Sequence, residues 1–126
     1  MMHLISIAAG GALGALLRYG FSISAHYFLG KEFPYGTLLV NVLGSFIIGA
    51  VFVFMVERGE LSEDWQAFLV IGLLGAFTTF STFSFETISL VETGEIVKAG
   101  LNIIISVLLC LCVCWLGMLL ARQTSL

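Results

Sequence analysis

Charge is scarce in this sequence. Asp, Glu, Lys and Arg make up only 10% of its 126 residues, whereas a soluble domain carries about a quarter. That is too little to coat a water-facing surface, so a soluble enzyme and a disordered chain are excluded. Basic residues are scarcer still. Five Lys and Arg in the whole chain leave no material for a basic stripe, so nucleic acid is not a partner. Cysteines are few, and Cys110, Cys112 and Cys114 share one apolar run instead of spreading between loops, so there is no disulfide framework. Nor is there a Ser/His/Asp arrangement, a phosphate-binding loop or a His/Cys metal spacing. The amino-terminal stretch is apolar, but no Lys or Arg precedes it, so it does not read as a cleaved signal peptide.

What is present is hydrophobic: 60% of the residues. A membrane span needs about 20 residues. The chain divides into four such stretches within one transmembrane domain, an all-α membrane fold. They run from about Leu4 to Leu29, Tyr35 to Val56, Trp65 to Ser89 and Val97 to Ala121. Gly30 to Pro34 is a short polar turn, and the single proline, Pro34, suits a helix entrance. Glu57 to Asp64 is the most charged stretch and reads as a loop; Glu92 to Glu95 is the next. Gly10 and Gly14 form a small-xxx-small pair that lets helices approach closely.

With four spans, Arg58 and Arg122 fall on one side and Lys31 and Lys98 on the other. Orientation in the membrane follows an excess of Lys and Arg, and here the two sides balance. A chain so balanced inserts either way and is suited to pairing as an antiparallel homodimer, with the two-fold axis in the membrane plane.

Polar side chains inside lipid usually face an interior or a water path. The third stretch carries Thr78-Thr79-Phe80-Ser81-Thr82-Phe83-Ser84-Phe85-Glu86, preceded by Gly72 and Gly75. Hydroxyls compete for backbone hydrogen bonds and glycine weakens a helix, so this span is expected to break near Gly75 to Thr79. Carbonyls freed by a break are tolerated only where buried or lining a cavity, and they are cation ligands. Phe77, Phe80 and Phe83 recur every three residues, which places them as a stripe on one face of a helix, and phenyl edges carry partial positive charge. Asn41 lies mid-span with Thr37 one turn before it, and Asn102, Ser106 and Cys110 are similarly spaced in the fourth stretch. Three helices thus offer polar stripes, which points to a polar path. Arg18 is a lone cation in the first span, and Glu86 is the only acid in or near a span core. Glu86 could pair with Arg18, cap a half-helix or sit beside the path.

These residues resemble the fluoride channels of the CrcB/Fluc family. The resemblance is carried by Gly14-Ala15-Leu16-Leu17-Arg18-Tyr19, by Gly36 to Phe46 around Asn41, and by Gly72 to Ser84; the last is the most specific. It implies a dual-topology homodimer with two antiparallel pores in a bacterial inner membrane, passively exporting fluoride and lowering its cytoplasmic concentration. It also implies a structural sodium ion at the dimer interface, held by the backbone carbonyls of Gly75 and Thr78. Phe80 and Phe83 match the pore phenylalanines, Asn41 the pore asparagine and Arg18 the vestibule arginine. Ser81, Thr82, Thr37 and Ser106 are candidates for the remaining polar lining.

A small proton-coupled multidrug exporter shares the length and span count. It needs a carboxylate in its first span, where this chain has Arg18 and no acid. A non-conducting membrane subunit would leave the hydroxyl and phenylalanine run unexplained. No nucleophile and base pair supports an intramembrane enzyme.

Overall fold

Four apolar stretches give four long helical runs. The computed structural model describes residues 1–124. Helix α1 is Met2–Leu29. Helix α2, Tyr35–Phe52, continues into a wider π turn, π1, Val53–Glu57. The third run begins with α3 (Glu63–Gln66), widens into π2 (Ala67–Leu74) and ends as α4 (Gly75–Phe77). Helix α5, Phe80–Glu92, follows after two residues, and α6 is Ile96–Gln123. The runs Met2–Leu29, Tyr35–Glu57, Glu63–Glu92 and Ile96–Gln123 are each long and apolar enough to cross a membrane.

The helices reach a little beyond the span limits expected from hydropathy. Ser62 explains one such end. Its hydroxyl accepts the Trp65 N–H at 3.4 Å, and Glu63 and Asp64 occupy the first turn, where acidic side chains suit the positive helix end. The last two residues of the expected charged loop are therefore helical. The α5–α6 turn is set by Gly94, whose φ of 84° is costly for any residue with a Cβ.

The principal contacts are α2 on α6 and α1 on π2. The α1–π2 crossing brings backbone against backbone. A Cβ on Gly10 would meet the Phe68 carbonyl, and one on Gly14 the Leu73 carbonyl. These two glycines are thus used within the bundle. The most completely buried side chains are Val40, Val53 and Asn102, and Leu74, Phe77 and Phe83 complete the core. Large apolar side chains such as Leu16, Leu108 and Trp115 point outward, where lipid takes the place of a protein core.

Apart from Arg18 and Glu86, the charges gather at helix ends and in the turns between them. Arg58 donates to the Ala121 carbonyl at 2.8 Å and to the Thr124 carbonyl, so it caps the end of α6, and its guanidinium lies 4.9 Å from the Phe54 ring centre. Arg122 donates from Nε to both Glu57 carboxylate oxygens at 3.0 and 3.1 Å. Both basic residues of this side are therefore engaged in tying α6 to the end of the second run.

The α1–π2 crossing gives a paired test. Gly14→Val forces two backbones apart and is expected to destabilise the bundle by about 1–3 kcal/mol, the usual cost of overpacking. A Cβ on Gly11 meets nothing within 4 Å, so Gly11→Val is expected to be tolerated. Unfolding in mixed detergent checks both; equal midpoints for the two variants would contradict the crossing.

Candidate functional site

The site is built around two residues that leave the helix. Thr78 (φ −90°, ψ 157°) and Thr79 (φ −153°, ψ 116°) are extended, between α4 and α5. In a continuous helix the Thr79 N–H would bond the Gly75 carbonyl. Here it donates to Asn41 Oδ1 at 2.8 Å, and Asn41 Nδ2 donates back to the Thr79 carbonyl at 3.0 Å. The Asn41 amide thus plays the part of a neighbouring peptide. Likewise the Thr82 N–H, which a continuous helix would send to the Thr78 carbonyl, goes to the Thr79 hydroxyl at 3.2 Å. Thr79 is therefore the N-cap of α5. Among the described residues no donor reaches the Gly75 or Thr78 carbonyl.

Helix α2 presents one face to this point. Asn41 holds Thr79, and one turn later Gly44 lies beneath the Thr78 methyl, which a Cβ would strike. One turn earlier, buried Thr37 donates its hydroxyl to the Glu86 carboxylate on α5. Glu86 is thereby engaged with Thr37; no ion pair joins it to Arg18 among the described residues.

Beside the two extended residues opens a cavity of about 530 Å³. It brings together six of the ten residues singled out by sequence: Asn41, Gly75, Thr78, Phe80, Phe83 and Ser106. Val70, Ile48 and Leu111 supply apolar wall, and Cys110 adds a thiol. The Phe80 and Phe83 rings are 5.3 Å apart between centres and tilted by 42°. Phe83 is buried, whereas Phe80 is 77% exposed and projects from the open side.

Four singled-out residues lie off the cavity wall. Thr37 sits against Glu86. Ser81 and Thr82 turn their hydroxyls to Thr79, at 3.3 and 3.1 Å. Arg18 is half-buried on α1, and no partner bonds it among the described residues. The expected three-ring stripe also divides. Phe77 packs edge-on against Phe21, 5.6 Å between centres. The extended Thr78–Thr79 pair rotates Phe80 and Phe83 away from it, so the helical face on which all three were placed does not exist.

Sequence reading placed Thr79 at the expected break without giving it a capping role, and passed over Thr87. Thr79 carries a local signal, a hydroxyl three residues before Thr82 at a helix start. Thr87 accepts from Asn102 on α6 at 2.9 Å, a contact that only packing creates.

Residues 5–118 match the family model described as CrcB-like protein, Camphor Resistance (CrcB). Curated relatives named fluoride-specific ion channel FluC are similar along nearly the whole chain. One from Shewanella amazonensis is 50% identical over 93% of this chain and 94% of its own. One from Hydrogenovibrio crunogenus is 49% identical over 98% of this chain and 93% of its own. One from Methylococcus capsulatus is 48% identical over 98% of this chain. This chain spans 54% of that relative's length.

Asn41→Ala removes both partners of the Thr79 peptide. It is expected to cost about 1–3 kcal/mol, the usual penalty for leaving a buried polar group unpaired, and to speed hydrogen exchange at the Thr79 amide. Unchanged exchange there would contradict the pairing.

Proposed function

The chain belongs to the CrcB-like family, and on that premise we propose that it is a fluoride-specific ion channel, not an enzyme, which works as two antiparallel copies. The observation that carries this reading is the cavity, where Asn41 and Ser106 meet Phe80 and Phe83 of the first turn of α5.

Fluoride is small and strongly hydrated, so it enters only where hydrogen-bond donors replace water. Asn41 has two N–H donors, and the Thr79 carbonyl takes one; the second is available. Ser106 carries a hydroxyl. The first amides of α5 have no helical acceptor, and a helix N-terminus favours an anion. The Phe80 and Phe83 ring edges add weak positive potential. Contacts of this kind hold an ion without trapping it, and conduction needs both. Flow is passive and outward when the exterior is acidic, which lowers cytoplasmic fluoride. Arg18 concentrates anions at the entrance, since an unpaired cation raises local anion density.

The residues present also fit a structural sodium ion. The Gly75 and Thr78 carbonyls lack hydrogen-bond donors among the described residues, and neutral carbonyl oxygens suit a monovalent cation. Two from each copy would surround it on the two-fold axis, where it would fasten the interface. Dual insertion follows from the balance of Lys and Arg across the two sides. The setting is the inner membrane of a bacterium, crossed several times. Exposed Phe80 and the open side of the cavity support a second copy lying against this face.

The test is ion efflux from liposomes loaded with fluoride or with chloride, with potassium and valinomycin balancing charge. Rapid fluoride loss with chloride retained is the expected result; no fluoride loss from folded protein would sink the channel reading, and efflux that needs a proton gradient would favour an exporter. Phe80→Ile and Phe83→Ile are expected to slow fluoride loss with the dimer intact. Full rates in both variants would remove the role of the ring edges.

A further inference from the structure

Behind the cavity wall, three side chains link Ser106 to the Phe83 carbonyl. Ser106 Oγ donates to Asn102 Oδ1 at 3.3 Å, Asn102 Nδ2 donates to Thr87 Oγ1 at 2.9 Å, and Thr87 Oγ1 donates to the Phe83 carbonyl at 2.7 Å. All three side chains are buried, Asn102 to 2% exposure. Ser106 lines the cavity and Asn102 does not.

Counting protons fixes the direction of this chain. A threonine hydroxyl has one proton, and that of Thr87 is committed to the Phe83 carbonyl. Thr87 therefore accepts from Asn102, so the amide must turn its NH2 to Thr87 and its oxygen to Ser106. The single Ser106 proton then points at Asn102, and its lone pairs are left for the cavity. At rest this serine offers an anion nothing.

We propose that Asn102 is a positioning residue for the anion path, acting through Ser106, whose hydroxyl proton it holds until an anion draws that proton into the cavity. The proposal rests on the channel reading above. The link that must break is the weakest of the three. At 3.3 Å it exceeds the usual O–H···O range of about 2.5–3.0 Å, whereas the two behind it are shorter. A donor that must leave a partner binds the ion less tightly than a free one. The ion is therefore released more easily, which conduction requires.

The experiment compares fluoride efflux from liposomes for Ser106→Ala, Asn102→Leu and Thr87→Val, singly and combined. Thr87→Val is nearly isosteric and keeps the test available if Asn102→Leu does not fold. Each single change is expected to alter the rate about two- to tenfold, the reach of one hydrogen bond. In the Ser106→Ala background neither of the others should alter it further. Factors that multiply would overturn the proposal, because a purely structural Asn102 acts whether or not the serine hydroxyl exists. The Asn102 side-chain amide signals in NMR give a readout independent of transport. Thr87→Val should shift them; unshifted signals would overturn the assigned direction. Absent efflux in the wild type would instead sink the channel reading, with the amide signals still deciding how the chain points.

Discussion

A pair of hydrogen bonds between the Asn41 side chain and the Thr79 peptide holds the third run open. Inside a membrane every backbone polar group needs a partner within the protein. Two residues that leave a helix therefore need a substitute peptide, and a carboxamide is the side chain that supplies one donor and one acceptor together. Once Asn41 takes the Thr79 N–H, the Gly75 carbonyl loses its helical donor. Once Thr79 caps α5, so does the Thr78 carbonyl. The same pairing turns the start of α5, with Phe80 and Phe83, toward the cavity.

Close packing makes this pairing possible. Gly44 lets α2 approach Thr78, and Gly10 and Gly14 let α1 approach the π2 segment just before the interruption. The core that results includes Asn102. A polar residue so deeply placed must be satisfied, and it is, through Thr87 and Ser106. Packing between α5 and α6 and polar satisfaction are one arrangement here. That arrangement also sets which face of Ser106 the cavity meets.

Much of this is written in the sequence, but unevenly. Hydropathy gives the four membrane-crossing helices, because lipid imposes both length and apolarity. The Gly75 to Thr79 stretch stands out because hydroxyls and glycine compete with helical bonding. The end at Ser62 was readable in principle from Ser-Glu-Asp, yet the run of charge around it masked the cap. The remainder depends on contacts between distant parts of the chain. Nothing local says that Asn41 pairs with Thr79, that Glu86 takes the Thr37 hydroxyl instead of Arg18, or that Asn102 meets Thr87. Phe77 illustrates the limit. Its spacing from Phe80 and Phe83 suggests one face, and two extended residues undo that face.

The central claim is that the third run leaves the helix at Thr78 and Thr79 because Asn41 replaces the missing peptide partners. Backbone chemical shifts of the labelled protein in lipid bilayers, read by solid-state NMR, address it most directly. The expected result is extended shifts at Thr78 and Thr79 in the wild type, flanked by helical ones, with a correlation between the Asn41 carboxamide and the Thr79 peptide. Helical shifts unbroken from Gly75 through Thr82 would contradict it.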